Sequence, residues 1–182
     1  MKHYFLSVAL ALQVSGIFVP VIAQQEIPAL RNMKVYSPNL ISSGQPDRNN
    51  FDALAKAGVQ LVINLAPAQE RTSIKDEEQL VRGNGMEYAY IPVDWNKPDK
   101  EGFKNFMEVM DRSKNMHVLV HCSFNSRASA FVYLYRRSAT AGSKDQDYQV
   151  MEEIWERNRG YELRSSPQWI SFINEMSVSG VK

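Results

Sequence analysis

The residues best equipped for chemistry stand close together, in Cys122-Ser123-Phe124-Asn125-Ser126-Arg127. Cys122 is the single cysteine of the chain. It follows Val118-Leu119-Val120-His121, whose apolar start reads as a buried strand, and it precedes Ala128 to Arg137, which has helical character. A strand, a small polar loop and a helix present backbone N–H groups and a helix N-terminus to an anion. A thiolate at the mouth of such a loop is stabilised by the dipole and those donors, which is expected to bring its pKa to roughly 3.5–7.5. Arg127 at the far rim adds a planar, permanently charged fork that grips two phosphate oxygens. Nucleophile, anion cradle (Ser123, Phe124, Asn125, Ser126 and Arg127) and clamp together point to phosphate chemistry. The plainer alternative is a small buried thiol, an ordinary strand histidine at His121 and a solvated arginine.

Transfer of a phosphoryl group from an oxygen ester to a thiolate needs an acid for the departing oxygen. Asp94 is the expected donor, in a loop after a strand and beside Trp95, whose ring is expected to dehydrate it and raise its pKa. Alone it would read as a turn residue. Asp99 and Glu101 fit the capping of the next helix better.

Strands and helices to carry these groups can be read along the chain. Lys34-Val35-Tyr36 and Leu40-Ile41-Ser42 read as short edge-like strands around the turn Ser37-Pro38-Asn39. Asp47 or Asn49 is expected to cap a helix with Phe51, Leu54 and Ala55 inward, and Gly58 sits where a C-terminal glycine belongs. Strands are predicted over 59–65, 86–91 and 116–120, and helices over 73–82, 100–112, 145–157 and 167–176, with Ser166 capping the last and Pro167 at its first position. The Met and Trp residues at helical spacing read as core. Strands alternating with helices make a single α/β domain with a largely parallel central sheet flanked by helices on both faces. In such sheets the ligand site forms beyond the carboxyl ends of the strands, so the Cys122 and Asp94 loops are expected on one edge.

At 182 residues and 44% hydrophobic composition the chain can bury one good core. A net charge of +1 with mixed signs points away from nucleic acid. One cysteine excludes an internal disulfide, and the three histidines show no metal-ligand spacing, which argues against a zinc enzyme. Residues 1–23 have the layout of a secretory signal peptide: Lys2 and His3, then an uncharged run from Tyr4 to Ala23, with Val21 and Ala23 before a cut at Gln24. An uncleaved anchor is the alternative, disfavoured by Gly16 and Pro20. The expectation is an exported, periplasmic or secreted protein of residues 24–182, with no stable membrane insertion after cleavage. Its free thiol would then sit in an oxidising compartment.

Pro92-Val93-Asp94-Trp95-Asn96-Lys97-Pro98, a helix, then Val120-His121-Cys122 and Asn125-Ser126-Arg127-Ala128-Ser129-Ala130-Phe131 resemble the protein tyrosine phosphatase superfamily. The likeness is to its bacterial dual-specificity-like branch, with the beta-lactamase-hydrolase-like proteins, and extends to Ser43-Gly44-Gln45-Pro46 and Val62-Ile63-Asn64-Leu65. It implies that Cys122 attacks phosphorus, that Arg127 and the loop amides bind the phosphoryl oxygens, and that Asp94 protonates the leaving group and then activates water. Ser129 would hydrogen-bond the thiolate, and His121 would brace the loop. The implied substrate is a phosphorylated protein or small phosphomonoester, with no metal or organic cofactor. The sequence departs from the common pattern in having four residues, not five, between Cys122 and Arg127. Rhodanese-type sulfurtransferases also use a six-residue loop, so a persulfide on Cys122 is the alternative activity, and a silent phosphate- or partner-binding module a third. Asn125 stands where a glycine is frequent, and Ala66 where relatives often carry an arginine.

Overall fold

The computed structural model describes residues 26–139 and 144–179. The predicted signal peptide over 1–23 lies outside them. Among the described residues no helix is long and apolar enough to cross a membrane.

Five strands form one sheet in the order β1-β2-β5-β3-β4: β1 (Lys34–Ser37), β2 (Leu40–Ser43), β3 (Leu61–Asn64), β4 (Glu87–Tyr90) and β5 (Val118–His121). β1 pairs antiparallel with β2, and the remaining pairings are parallel. β2 is therefore not an edge strand as its sequence reads. It is held on both sides, and all four of its residues are buried. The single α/β domain with a mostly parallel sheet is the predicted class.

Side chains alternate between the two faces, as the period of two requires. Leu61, Ile63, Val118 and Val120 pack into one core with Phe103, Phe106, Phe131, Trp155, Trp169 and Phe172. Those rings come from α3 (Lys100–Arg112), α4 (Ser126–Ala139), α5 (Lys144–Glu156) and α6 (Pro167–Ser179). Ile41, Val62 and Leu119 face the opposite core, with Phe51 and Leu54 of α1 (Asn50–Lys56) and Val81 of α2 (Glu77–Gly83). Each fully buried Leu, Ile or Phe contributes about 1.5–3 kcal/mol. α3 has the predicted bounds, and Asp99 caps it by accepting from the Gly102 amide at 2.8 Å. Gly58 takes the left-handed φ of 88° expected after α1.

Two boundaries differ from the sequence reading in ways that matter for the site. α2 begins at Glu77, not Ser73, because the Ser73 hydroxyl donates to the Pro67 carbonyl at 2.9 Å and closes a turn instead of capping a helix. α4 begins at Ser126, two residues before Ala128, so the anion loop runs directly into its first turn.

Strand register sets where the loops emerge. Ser43 and Asn64 both lie opposite His121, and Asn64 lies opposite Tyr90, so β2, β5, β3 and β4 end level with one another. The segments starting at Gly44, Leu65, Ile91 and Cys122 leave the sheet along one edge.

Candidate active site

Cys122 opens the loop after β5 and Arg127 lies in the first turn of α4, and both are buried, at 1% and 3% exposure. They line a cavity of about 740 Å³ with Ser123, Phe124, Ser126, Glu70 and others. The first backbone bond of α4 runs from the Ser129 amide back to the carbonyl of Asn125, the residue before the helix, at 2.9 Å. The Ser126, Arg127 and Ala128 amides thus have no partner within the helix and remain for an anion.

The loop is braced from outside by asparagines. Asn125 holds the left-handed φ of 74° and donates through Nδ2 to the Asn32 carbonyl at 2.6 Å. Asn32 and Asn158 each donate to the Phe124 carbonyl at 3.1 Å, and Asn158 also donates to Ser126 Oγ at 3.0 Å. Asn125→Ala is expected to cost about 1–2 kcal/mol more than Asn125→Gly. Both variants lose the bond to Asn32, so the gap between their denaturation midpoints isolates the backbone strain. Equal midpoints would refute the claim that the turn is strained.

Arg127 is heavily engaged. Nη1 donates to Glu70 Oε1 at 2.5 Å and to the Val93 carbonyl at 3.0 Å, and Nη2 donates to Glu70 Oε2 at 2.6 Å. The Ser123 hydroxyl also donates to Glu70 and takes a bond from Thr72 Oγ1 at 2.7 Å. Burial works to lower the Arg127 pKa, but the charges of Cys122 and Glu70 outweigh it and hold it above its ordinary value. For Glu70 partial burial acts upward and Asp94 adds to it, yet the bonds from Arg127 and Ser123 hold the carboxyl below its usual range.

Asp94 is exposed and is not among the residues lining the cavity, though its charge reaches Glu70. Its Oδ1 accepts from the Asn96 amide at 2.8 Å. Trp95 does not dehydrate it. That ring turns inward, 5.3 Å from Trp155 and 5.7 Å from Trp169 between centroids, and the Trp95 carbonyl accepts from Trp169 Nε1 at 2.9 Å. Arg127 holds the carbonyl before Asp94 and α6 holds the one after it. Ser129 Oγ donates to the Ser126 carbonyl at 3.0 Å and not to the thiol. His121, fully buried, lies 3.0 Å from Glu77 Oε1 through Nε2. Among the described residues no three His, Cys, Asp or Glu side chains gather as a metal site requires.

No family model matches the chain. Two curated relatives are beta-lactamase hydrolase-like proteins of Xylella fastidiosa; that of strain Temecula1 is 28% identical over 155 residues, 81% of this chain. The chain spans about a third of the length of these curated relatives, 35% and 32%. Among solved structures, a candidate phosphatase (DUF442) of Shewanella putrefaciens CN-32 is 39% identical, with TM-score 0.72 over 81% of this chain and 90% of that one. The chain belongs to the DUF442 family. This DUF442 chain also aligns with TpbA of P. aeruginosa (14% identity, 84% and 92% coverage, TM-score 0.62) and with Tk-PTP (15%, 80% and 96%, 0.62). At those identities the likeness is one of fold, that of the protein tyrosine phosphatases.

Several residues at the DUF442 site carry no mark in the sequence. Glu70 and Thr72 come from the loop after β3, where no motif distinguishes them. Arg31 lies over the Phe124 ring, 5.1 Å from guanidinium carbon to centroid, and Tyr161 stacks on that ring at 5.8 Å. Glu77 does carry a usable signal: it stands four residues before Val81, on the helix face that turns inward.

Proposed function

We propose that the chain is a cysteine-dependent phosphatase that hydrolyses phosphomonoesters, aryl esters such as phosphotyrosine included, through a cysteinyl-phosphate on Cys122. The carrying observation is one buried loop with Cys122 at its start and Arg127 at its end, on the wall of a single cavity. That cavity is lined by Arg31, Arg71 and Arg127 against the single carboxylate of Glu70, a surplus that attracts a dianion. Trp95, Phe124 and Tyr161 on the same wall suit an aromatic ester. Membership of a family with a candidate phosphatase supports the reading, as does a TpbA structure in complex with phosphotyrosine.

In the proposed reaction the Cys122 sulfur attacks phosphorus and the ester P–O bond breaks. Asp94 gives its proton to the departing oxygen. The unpaired amides at the start of α4 and the Arg127 guanidinium hold the three non-bridging oxygens as their charge builds. Water then attacks the phosphorus of the intermediate, the P–S bond breaks, and Asp94 takes the proton of that water, leaving inorganic phosphate and the free thiolate. We read the protein as exported, on the strength of the uncharged run before Gln24. A reductant therefore belongs in the assay, since an oxidised thiol is no nucleophile.

The test runs p-nitrophenyl phosphate hydrolysis and thiosulfate-to-cyanide sulfur transfer side by side, on the reduced protein and on Cys122→Ser. Vanadate-sensitive hydrolysis that vanishes in the variant is expected, without sulfur transfer. Sulfur transfer without hydrolysis would instead select the persulfide reading that the six-residue loop allows. Asp94→Asn is expected to slow a phenyl ester by about 10²–10⁴-fold and the nitrophenyl ester much less. Equal slowing of both esters would remove Asp94 from the acid's role.

A further inference from the structure

The guanidinium of Arg127 carries five N–H bonds, and their partners divide unevenly. Nη1 spends both of its hydrogens, on Glu70 Oε1 and on the Val93 carbonyl. Nη2 makes one short bond to Glu70 Oε2, and its other neighbour, Ser123 Oγ, stands at 3.5 Å, at the limit of a hydrogen bond. Nε is buried with no partner at all. The end of the fork is therefore filled by Glu70, while along the other edge Nε has no partner and Nη2 keeps only the long contact to Ser123 Oγ. An unpaired donor on a side chain only 3% exposed costs free energy unless a ligand takes it. Two parallel N–H bonds along one edge fit two oxygens of a phosphoryl group.

Resting on the phosphatase reading, we propose that Glu70 is a positioning residue: it holds the end of the Arg127 fork and the first residue of the anion loop, so that the Nε edge faces the phosphoryl group. The same carboxylate bonds Arg127, at one end of the Cys122–Arg127 loop, and Ser123, at its other. It spans the loop as a strut. Thr72, two residues on, supports Ser123 from the same segment. The charge that Glu70 cancels is restored by Arg31 and Arg71 at the cavity wall.

Binding of inorganic phosphate, measured by calorimetry on the reduced full chain, tests the strut without relying on turnover. Glu70→Gln keeps the size of the side chain but puts an amide donor against one Nη. It is expected to weaken phosphate about tenfold and to lower kcat/KM for p-nitrophenyl phosphate by about 10²-fold, with part of that loss in kcat. Glu70→Asp keeps the charge, is short by one methylene, and is expected to fall between Glu70→Gln and the parent. Phosphate bound equally or more tightly by both variants would overturn the proposal, because Glu70 would then be an occupant of the seat that substrate must displace. Absence of phosphate binding by the parent overturns it as well. Phosphate binding that weakens as expected in a protein that hydrolyses no aryl phosphate would leave the strut standing and remove the phosphatase reading instead.

Discussion

Arg127→Ala is expected to lower kcat/KM for an aryl phosphate by about 10³–10⁵-fold, the range in which a transition-state arginine acts in phosphoryl transfer. Three losses coincide. The bidentate donor to the phosphoryl oxygens disappears. The Val93 carbonyl loses its partner, which frees the backbone just before Asp94. Glu70 keeps its partial burial, the opposing charge of Asp94 and the bond from Ser123, but loses the bonds and charge of Arg127 that helped hold its carboxyl pKa down, so that pKa rises. Arg127→Lys is expected to recover little. An ammonium is a point donor and cannot serve Glu70, the Val93 carbonyl and two phosphoryl oxygens from one buried position. Steady-state kinetics with p-nitrophenyl phosphate on the parent and both variants checks this. A lysine variant within about tenfold of the parent would show that charge alone, without the fork, holds the anion.

How far this site is legible in the sequence depends on how local each part is. Cys122, the loop residues and Arg127 fall within six consecutive positions, between a β-branched run and a helical one, so pattern alone brings them together. Asp94 stands out in the sequence because the proposed reaction would need an acid, but its surroundings differ from those its neighbours in sequence suggest. Trp95 is adjacent, yet its ring satisfies a cluster with Trp155, Tyr161 and Trp169, which no local pattern encodes. Glu70 is hidden for the opposite reason. Pro67-Ala68-Gln69-Glu70-Arg71-Thr72 reads as an ordinary polar turn, and only the placing of β3 beside β5 carries it to Arg127. That placing comes from sheet order, which the strand sequences do not specify. The class of fold is legible because alternation of strand and helix recurs along the chain, whereas β2 reads wrongly as an edge because four residues are too few to show two-sided burial.

The largest loss of stability is expected from Glu77→Ala, at about 3–5 kcal/mol, which for a domain of this size lowers the melting temperature by on the order of 10 °C. Glu77 is 2% exposed in the first turn of α2. Its carboxylate takes a bond from Asn64 Nδ2 at 2.8 Å, another from the Tyr88 hydroxyl at 3.1 Å, and a short one from Gln45 Nε2, and His121 Nε2 stands at 3.0 Å. An ionised carboxylate only accepts, so His121 carries its proton on Nε2. These partners come from β3, β4, β5 and the segment after β2, which makes Glu77 the common tie of the sheet edge where the cavity opens. Burial acts to raise the Glu77 pKa, but His121, Gln45 and Tyr88 more than offset it and hold the carboxyl below the ordinary glutamate value of 4.5. A depressed folded-state pKa contributes stability above the unfolded value, and that stability is lost as pH falls through the folded one. The parent should therefore lose melting temperature progressively below about pH 4.5, and Glu77→Gln, with nothing to protonate at this position, should show a flatter acid limb. Because His121 directly precedes Cys122, the alanine variant should also lose phosphate binding in step with its stability. Parallel acid limbs for the parent and Glu77→Gln would mean that this carboxylate is not what ties the edge together.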